Sequence, residues 1–122
     1  MRPSGRSGGD GPPPADIEAL IVEGDPDKMP YVPIAVSMGC EEADRHWAES
    51  VCVRLISHPN EWVRGNAVLG FGHLAREFRN LDRTVVEPLV RAALTDPSSV
   101  VRGQAEAAAD DITHFLGWSP RP

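Results

Sequence analysis

Two cysteines and two histidines of this sequence recur at every sixth position, as Cys40, His46, Cys52 and His58. These side chains are common ligands of Zn²⁺, and four ligands would complete a tetrahedral site. Six residues advance an α-helix by about 600°, however, so successive members of the run point in different directions. The spacing therefore argues against a zinc site, and two cysteines do not make a disulfide framework. We expect two free, buried thiols and no metal or other cofactor.

A second set of polar side chains could form a groove or a catalytic pair. Its members are Asn66, His73, Arg76, Asp110 and Asp111. His73 and Asp111 would suit general acid/base chemistry, but the sequence has no nucleophile elbow, phosphate-binding glycine loop or metal motif. The sequence therefore favours a protein that is not an enzyme. The alternative is a nucleic-acid-processing or other enzyme that uses the His73/Asp111 face.

The elements that position these residues are predicted by an internal repeat with an offset of 38 residues. Residues 58–72 align with residues 96–110, and the two segments share a proline, a Val-Arg-Gly run and an alanine. The identical pairs are Pro59/Pro97, Val63/Val101, Arg64/Arg102, Gly65/Gly103 and Ala67/Ala105. Repeats of this length are typical of stacked helical units. Equivalent helices in such a stack lie side by side, so Asn66 should meet Gln104 and His73 should meet Asp111.

The apolar residues have the spacing of amphipathic helices in both copies. In the second helix of each unit they are Val63, Ala67, Gly70, Leu74 and Phe78, then Val101, Ala105, Ala108, Ile112 and Leu116. Another apolar stripe lies upstream of each, starting at Trp47 and at Val85. The unit is thus helix, tight turn, helix, and the chain holds one unit at residues 41–79 and another at 83–118.

The helix starts are predicted from capping residues. Thr84 and Glu87 form a capping box that would make Val85 the first helical residue. Asp96 is a good N-cap and His58 a poor one, with Pro97 and Pro59 in the first helical turn.

The N-terminal part differs from the repeats. Residues 1–14 are rich in proline and glycine and predict a disordered tail. Residues 15–39 predict a helical cap, with a short helix that ends at Gly24 and then a short helix or extended run around Pro30 and Pro33. We also expect Trp118 to fold back on the exposed core. The 122 residues are enough for one domain.

Charge and hydropathy limit the kinds of partner and the cellular location that the sequence allows. The formal net charge is −6 and no segment is basic, which argues against nucleic-acid binding. No apolar run is long enough for a membrane span and no signal peptide is present, so a cytoplasmic protein is expected. Five acidic residues on the first unit could attract a basic partner: Glu41, Glu42, Asp44, Glu49 and Glu61.

The segment from Asp96 to Ala105 resembles the HEAT repeat, whose second helix carries an aspartate and proline followed by Val-Arg and a small residue. The earlier copy, from His58 to Ala67, departs from this pattern because His58 replaces the aspartate. The resemblance implies an all-α fold, a short α-α superhelix of helix hairpins. It also implies that Arg64 and Arg102 form a ladder between repeats with Asp96 as acceptor, and Gln104 belongs to the same structural set.

The expected function is that of a non-catalytic scaffold that binds a protein partner. HEAT-like proteins are mostly protein-binding scaffolds, and small ones resemble immunity proteins of toxin systems. Trp62 lies just off the apolar stripe, where an indole could anchor a partner or could instead cover the end of the core. The predicted partner-binding residues are Trp62, Asn66, His73, Arg76, Asp110 and Asp111. A hydrogen-bonded ladder between the repeats is the favoured alternative for the polar members of this set.

Overall fold

The computed structural model describes residues 11–122, and this part of the chain contains six α-helices and no β-strand. The helices are α1 (Pro14–Glu23), α2 (Val32–Gly39), α3 (Arg45–Leu55), α4 (Glu61–Phe78), α5 (Arg83–Ala93) and α6 (Ser99–Leu116). Short 3₁₀ turns at Met29–Tyr31 and Glu42–Asp44 precede α2 and α3. The predicted all-α fold class is therefore confirmed. None of these helices has the length and apolarity that a bilayer crossing requires.

Helix α4 is the centre of the fold, because α2 packs along one of its sides and α6 along the other. These three helices form one layer. Helix α3 packs against α2 and α4, and α5 packs against α4 and α6. Both predicted stripes of the second helices face this core, where Val63, Leu74, Val101 and Ile112 are fully buried. Burial of such side chains, at about 25 cal/mol per Å² of apolar surface, is the main stabilising contribution to a fold of this kind.

Close approach of helices depends on glycine at two positions of α4. A Cβ atom on Gly72 would lie 3.0 Å from the Cα of Ala108, and one on Gly70 would lie 2.6 Å from the Sγ of Cys52. A methyl group at either position would therefore collide with a buried neighbour. Gly103, which is equivalent to Gly65 in the repeat, has open space around its Cα instead.

The N-terminal segment forms a third helix pair that packs against the first repeat, through α3 and α4. Helix α1 ends at Gly24 in the left-handed conformation, as predicted, and α2 is a regular helix with Pro33 in its first turn, where a proline is tolerated. Residues 1–10 of the expected tail lie outside the described residues. Residues 11–14 belong to the folded part, since Gly11 donates its backbone N–H to the carbonyl of Gly39 and Pro14 begins α1.

The predicted helix starts need correction. Asn60 and Ser98 are the N-caps of α4 and α6, and each side-chain oxygen accepts hydrogen bonds from two backbone amides of the first turn. The predicted caps, His58 and Asp96, lie two residues earlier. The turns between the paired helices are accordingly longer than expected, at residues 56–60 and 94–98.

The capping box predicted at Thr84 is also wrong. Helix α5 begins at Arg83, and its N-cap is Asp82, whose carboxylate accepts from the backbone N–H and the hydroxyl of Thr84. Glu87 forms ion pairs with Arg83 and Arg91 rather than reaching back to the start of the helix. The aspartate is the better cap because its carboxylate carries a full negative charge at the positive end of the helix dipole.

The chain end folds back over α5 and α6. Trp118 packs against the core, as expected, and the guanidinium group of Arg83 lies 5.2 Å from its ring centre. Arg91 donates to the carbonyl of the buried Pro120, and Arg121 pairs with Glu106 and Asp110. These contacts cover part of the outer side of α6.

Candidate functional site

The side of α4 that points away from the core carries most of the polar residues predicted from the sequence. Trp62, Asn66, His73 and Arg76 share this side because they follow one another at steps of four, seven and three residues, each close to a whole number of helical turns. Helix α6 contributes Gln104 and Asp111 on one flank, and the 3₁₀ turn before α2 contributes Pro30 and Tyr31 on the other. We call this surface the α2–α4–α6 face.

A hydrogen-bonded ladder crosses the face through Asn66. The side-chain amide of Gln104 donates to Asn66 Oδ1 at 3.0 Å, and Asn66 Nδ2 donates to the carbonyl of Pro30 at 2.7 Å. The first of these contacts joins the pair that the 38-residue offset places together. The second extends the ladder to the N-terminal helix pair, so Asn66 links all three helices of the layer.

His73 does not bond to Asp111 as expected. Its Nδ1 lies 2.9 Å from the hydroxyl oxygen of Ser37 on α2. Burial of the imidazole lowers the pKa of His73, the nearby Arg76 lowers it further, and the charge of Asp111 opposes the shift. The ring is therefore neutral at pH 7.

A Ser–His pair of this kind resembles a nucleophile with its base, but its setting differs. Ser37 is only 1% exposed, and the Cα of Gly70 lies beside its side chain. A substrate cannot reach a hydroxyl that is closed off between α2 and α4. The Ser37–His73 bond instead holds α2 against α4.

The two neighbouring aspartates of α6 lie on different sides of that helix. Asp111 lies against Gly72 and so faces α4. Asp110 is exposed on the opposite side, where its carboxylate accepts from Arg121 at 2.7 Å. The structure therefore does not place Asp110 with the other predicted site residues, because adjacent residues of a helix point about 100° apart.

Large apolar side chains are exposed along the face and at its α2 edge. Trp62 is 53% exposed, Tyr31 is 70% exposed, and Met38 is 59% exposed. Tyr31 follows Pro30, whose carbonyl accepts from Asn66, and Asn66 lies one turn after Trp62 in α4. The two aromatic residues therefore lie near the same end of the layer, Trp62 on α4 and Tyr31 in the turn before α2. Tyr31 also lines an apolar groove of about 250 Å³ between α1 and α2, together with Ile17, Leu20 and Val32.

Aromatic residues of this kind are the usual anchors of protein–protein interfaces, because they bury a large area at a small cost in conformational entropy. Tyr31, the aromatic residue of the N-terminal pair, was missed by sequence reasoning. The signal that could have found them is a constant separation of 36 residues in three contacts between the N-terminal pair and the next: Glu18 with Arg54, Pro30 with Asn66, and Ser37 with His73.

The residues of the predicted structural set lie at the turn end of the repeats. Arg64 donates through Nη2 and Nε to the two carboxylate oxygens of Asp96, at 2.9 and 3.1 Å. This bidentate ion pair joins the first repeat to the second, and it holds the pKa of Asp96 below its ordinary value. Arg102 bonds to the backbone carbonyls of Asp96 and Pro97 instead of to a carboxylate.

Two of the acidic residues expected to attract a basic partner are engaged within the fold. Glu49 is buried, bonds to Arg45 and accepts from the backbone N–H of Asp82. Glu61 accepts a hydrogen bond from the hydroxyl of Ser98. Glu49 cannot contribute to a solvated acidic surface, so that part of the prediction is wrong.

The cysteines have the environment expected of buried thiols. Cys40 and Cys52 are both free and buried, and burial raises the pKa of Cys40 to about 11 and that of Cys52 to about 12. Both are therefore protonated at pH 7. Within residues 11–122, no cluster of three or more histidine, cysteine, aspartate or glutamate side chains is placed to hold a metal ion.

The chain is similar to known proteins in its fold and not in a family pattern. No protein-family model matches the chain, and no curated protein shows a significant match. The resemblance to HEAT repeats therefore rests on the residues of the repeat alone. Among solved structures, the fold is similar to a chain in the crystal structure of a CDI (contact-dependent inhibition) complex from Cupriavidus taiwanensis. The two chains are 25% identical, the match covers 94% of this chain and 97% of that one, and the TM-score is 0.73.

Proposed function

We propose that this protein is a non-catalytic helical scaffold that binds a protein toxin, as the immunity protein of a contact-dependent inhibition system. The observation that carries the proposal is the likeness to a chain of a CDI complex over nearly the full length of both chains. A fold can host several functions, so the surface must supply further support.

The exposed aromatic residues of the α2–α4–α6 face supply that support. Trp62 and Tyr31 lie near one end of the helix layer, flanked by hydrogen-bonded polar side chains. An apolar anchor surrounded by a polar rim is the usual organisation of a protein-binding site. The rigid ladder through Asn66 fixes the helices that carry these anchors, so little conformational entropy is lost on binding.

The charge of the chain favours a basic toxin. The formal net charge is −6, and opposite charge on the partner would accelerate association. The scaffold is expected to inhibit by covering the toxin rather than by modifying it.

A growth assay tests the proposal. The proposal expects a gene for the toxic domain beside the gene of this chain, and this domain is expressed from an inducible promoter in cells that carry the chain on a second plasmid. We expect growth with the unaltered chain, arrest without it, and weakened protection with Trp62→Ala. Val22→Ala is the matched control, because Val22 is an exposed apolar residue on α1 away from the face.

Growth arrest in the presence of the unaltered, expressed chain would contradict the proposal. If Trp62→Ala and Val22→Ala protect equally well, the toxin would still be the partner, but Trp62 would not be an anchor of the complex.

A further inference from the structure

The two repeat arginines are held in the same way by their own repeats. Nη1 of Arg64 donates to the carbonyls of His58 and Pro59, at 3.2 and 3.0 Å. Nη1 of Arg102 donates to the carbonyls of Asp96 and Pro97, at 2.7 and 3.0 Å. Each guanidinium group is thus fixed at one edge against the turn that precedes its helix.

The other edge of the two guanidinium groups differs. Nε and Nη2 of Arg64 bind both carboxylate oxygens of Asp96, which lies just before the start of α6. Within residues 11–122, the corresponding edge of Arg102 has no carboxylate partner. Nη1 of Arg102 is fixed by the two carbonyls that are equivalent to those bound by Arg64. Arg102 therefore presents Nε and Nη2 as a preorganised pair of donors on the outer side of α6.

The glycine next to each arginine shows the same contrast. A Cβ on Gly65 would lie 3.3 Å from Gln104 Cγ and 3.5 Å from Val100 Cγ1, so this glycine lets α6 lie close to α4. A Cβ on Gly103 would have no atom within 4 Å. On α4, the surface that carries Gly65 packs against α6. The outer side of α6 carries the equivalent glycine, and no helix of the described residues covers it.

The uncovered region is the N-terminal half of α6. Farther along the helix, from Glu106 onward, Arg121 bridges Glu106 and Asp110, at 2.8 and 2.7 Å. Arg102 and Gly103 lie beyond these contacts and are both exposed. A docked element would therefore lie against the first turns of α6.

We propose that Arg102 and Gly103 dock an α-helix of the protein partner that carries an aspartate or glutamate just before its first turn. Its carboxylate accepts from Nε and Nη2 of Arg102, as Asp96 accepts from Arg64. A small or aliphatic side chain of the same helix faces Gly103. Two observations indicate this kind of partner segment. The guanidinium group of Arg102 requires a carboxylate, and the equivalent surface of α4 packs against a helix, α6. This proposal rests on the proposed function for one point only, which is that the partner is the toxin.

Binding of the purified toxin domain, measured by calorimetry, tests this second contact surface. Arg102→Gln removes the guanidinium group, and Arg54→Gln is its charge-matched control, because Arg54 lies on α3 and pairs with Glu18 of α1. Gly103→Leu places a bulky side chain where the helix would lie. Leucine has the higher helix propensity, so this variant should unfold at the same or a higher temperature than the unaltered chain.

We expect the Kd to rise about tenfold or more for Arg102→Gln and for Gly103→Leu, and to stay within about twofold for Arg54→Gln. If the unaltered chain binds the toxin domain and both variants bind it with the same affinity, this proposal is overturned and the proposed function stands. Failure of the unaltered chain to bind overturns the proposed function and this proposal with it. A dimer of the chain alone that Arg102→Gln dissociates would make a second copy the occupant and would also overturn the proposal.

Discussion

Helices α4 and α6 carry the same sequence pattern but have different surroundings. Helix α4 is covered by α2 on one side and by α6 on the other, whereas α6, within the described residues, has a helix of the layer only on the α4 side. The same arginine is bound to a carboxylate in α4 and lacks one in α6, and the same glycine is covered in α4 and open in α6. The repeat therefore encodes how helices stack, and the position in the stack decides which of those contacts form.

The largest expected effect comes from closing the gap between α4 and α6. Gly72→Ala places a Cβ 3.0 Å from the Cα of Ala108, and overpacking of this kind costs about 1–3 kcal/mol of unfolding free energy. Gly103→Ala adds the same methyl group in open space and should stabilise the protein by up to about 1 kcal/mol through helix propensity. Urea unfolding measures both. Effects of the same sign would mean that α4 and α6 do not approach as closely as described.

The ion pair between the repeats comes next. Arg64→Ala removes two carbonyl contacts and the bonds to Asp96, whereas Arg102→Ala removes only the two equivalent carbonyl contacts. The difference between the two variants therefore reports the half-buried ion pair, and we expect Arg64→Ala to cost about 1 kcal/mol more.

The same ion pair predicts a dependence on pH. Arg64 lowers the pKa of Asp96 below its ordinary value of 3.8. The ion pair therefore makes its full contribution to the free energy of unfolding above pH 3.8, and this contribution is lost as the pH falls through the lower pKa of the folded state. The excess cost of Arg64→Ala, measured by urea unfolding at a series of pH values, should shrink in that range. An excess that is constant down to pH 2 would contradict this assignment.

The Asn66 ladder predicts a smaller effect. Asn66→Ala removes the bonds to Pro30 and Gln104, whereas Gln104→Ala removes only one of them. We expect Asn66→Ala to cost about 1 kcal/mol and Gln104→Ala less, because a half-exposed hydrogen bond contributes modestly. Thermal unfolding compares the two. A larger loss for Gln104→Ala would contradict the ladder, because Asn66→Ala removes both of its bonds.

The smallest effect concerns His73. Its pKa in the folded protein lies below its ordinary value of 6.5, chiefly because the ring is partly buried. The unfolded chain therefore takes up the proton first, and stability falls as the pH drops below about 6.5. His73→Gln, which keeps a polar group beside Ser37, should flatten this part of the pH–stability curve. An unchanged slope between pH 7 and pH 5 would assign the dependence to another group.

The repeats were predictable from the sequence because equivalent neighbours require the same side chains. Val63 and Val101 both fill the core, and Arg64 and Arg102 both hold the preceding turn. The helix starts were misplaced by two residues because a proline with an aspartate or histidine before it looks like a first turn. Asn60 and Ser98 are the residues whose side chains accept from the free amides.

The N-terminal helix pair could not be predicted in detail because its contacts use different chemical groups. Pro30 contributes a backbone carbonyl to the ladder where α6 contributes the side chain of Gln104, and Ser37 bonds to a histidine that was expected to meet Asp111. Backbone acceptors leave no mark in a sequence. The exposure of Tyr31 depends on this packing, so one of the aromatic residues beside the face was also missed.

The most direct test of the account is the binding of the purified chain to the purified toxin domain encoded beside it, measured by calorimetry for the unaltered chain, Trp62→Ala and Val22→Ala. The account predicts a 1:1 complex, a Kd that rises about tenfold or more for Trp62→Ala, and an unchanged Kd for Val22→Ala. No binding by the unaltered chain, or the same Kd for all three proteins, would contradict a toxin-binding scaffold that uses the α2–α4–α6 face.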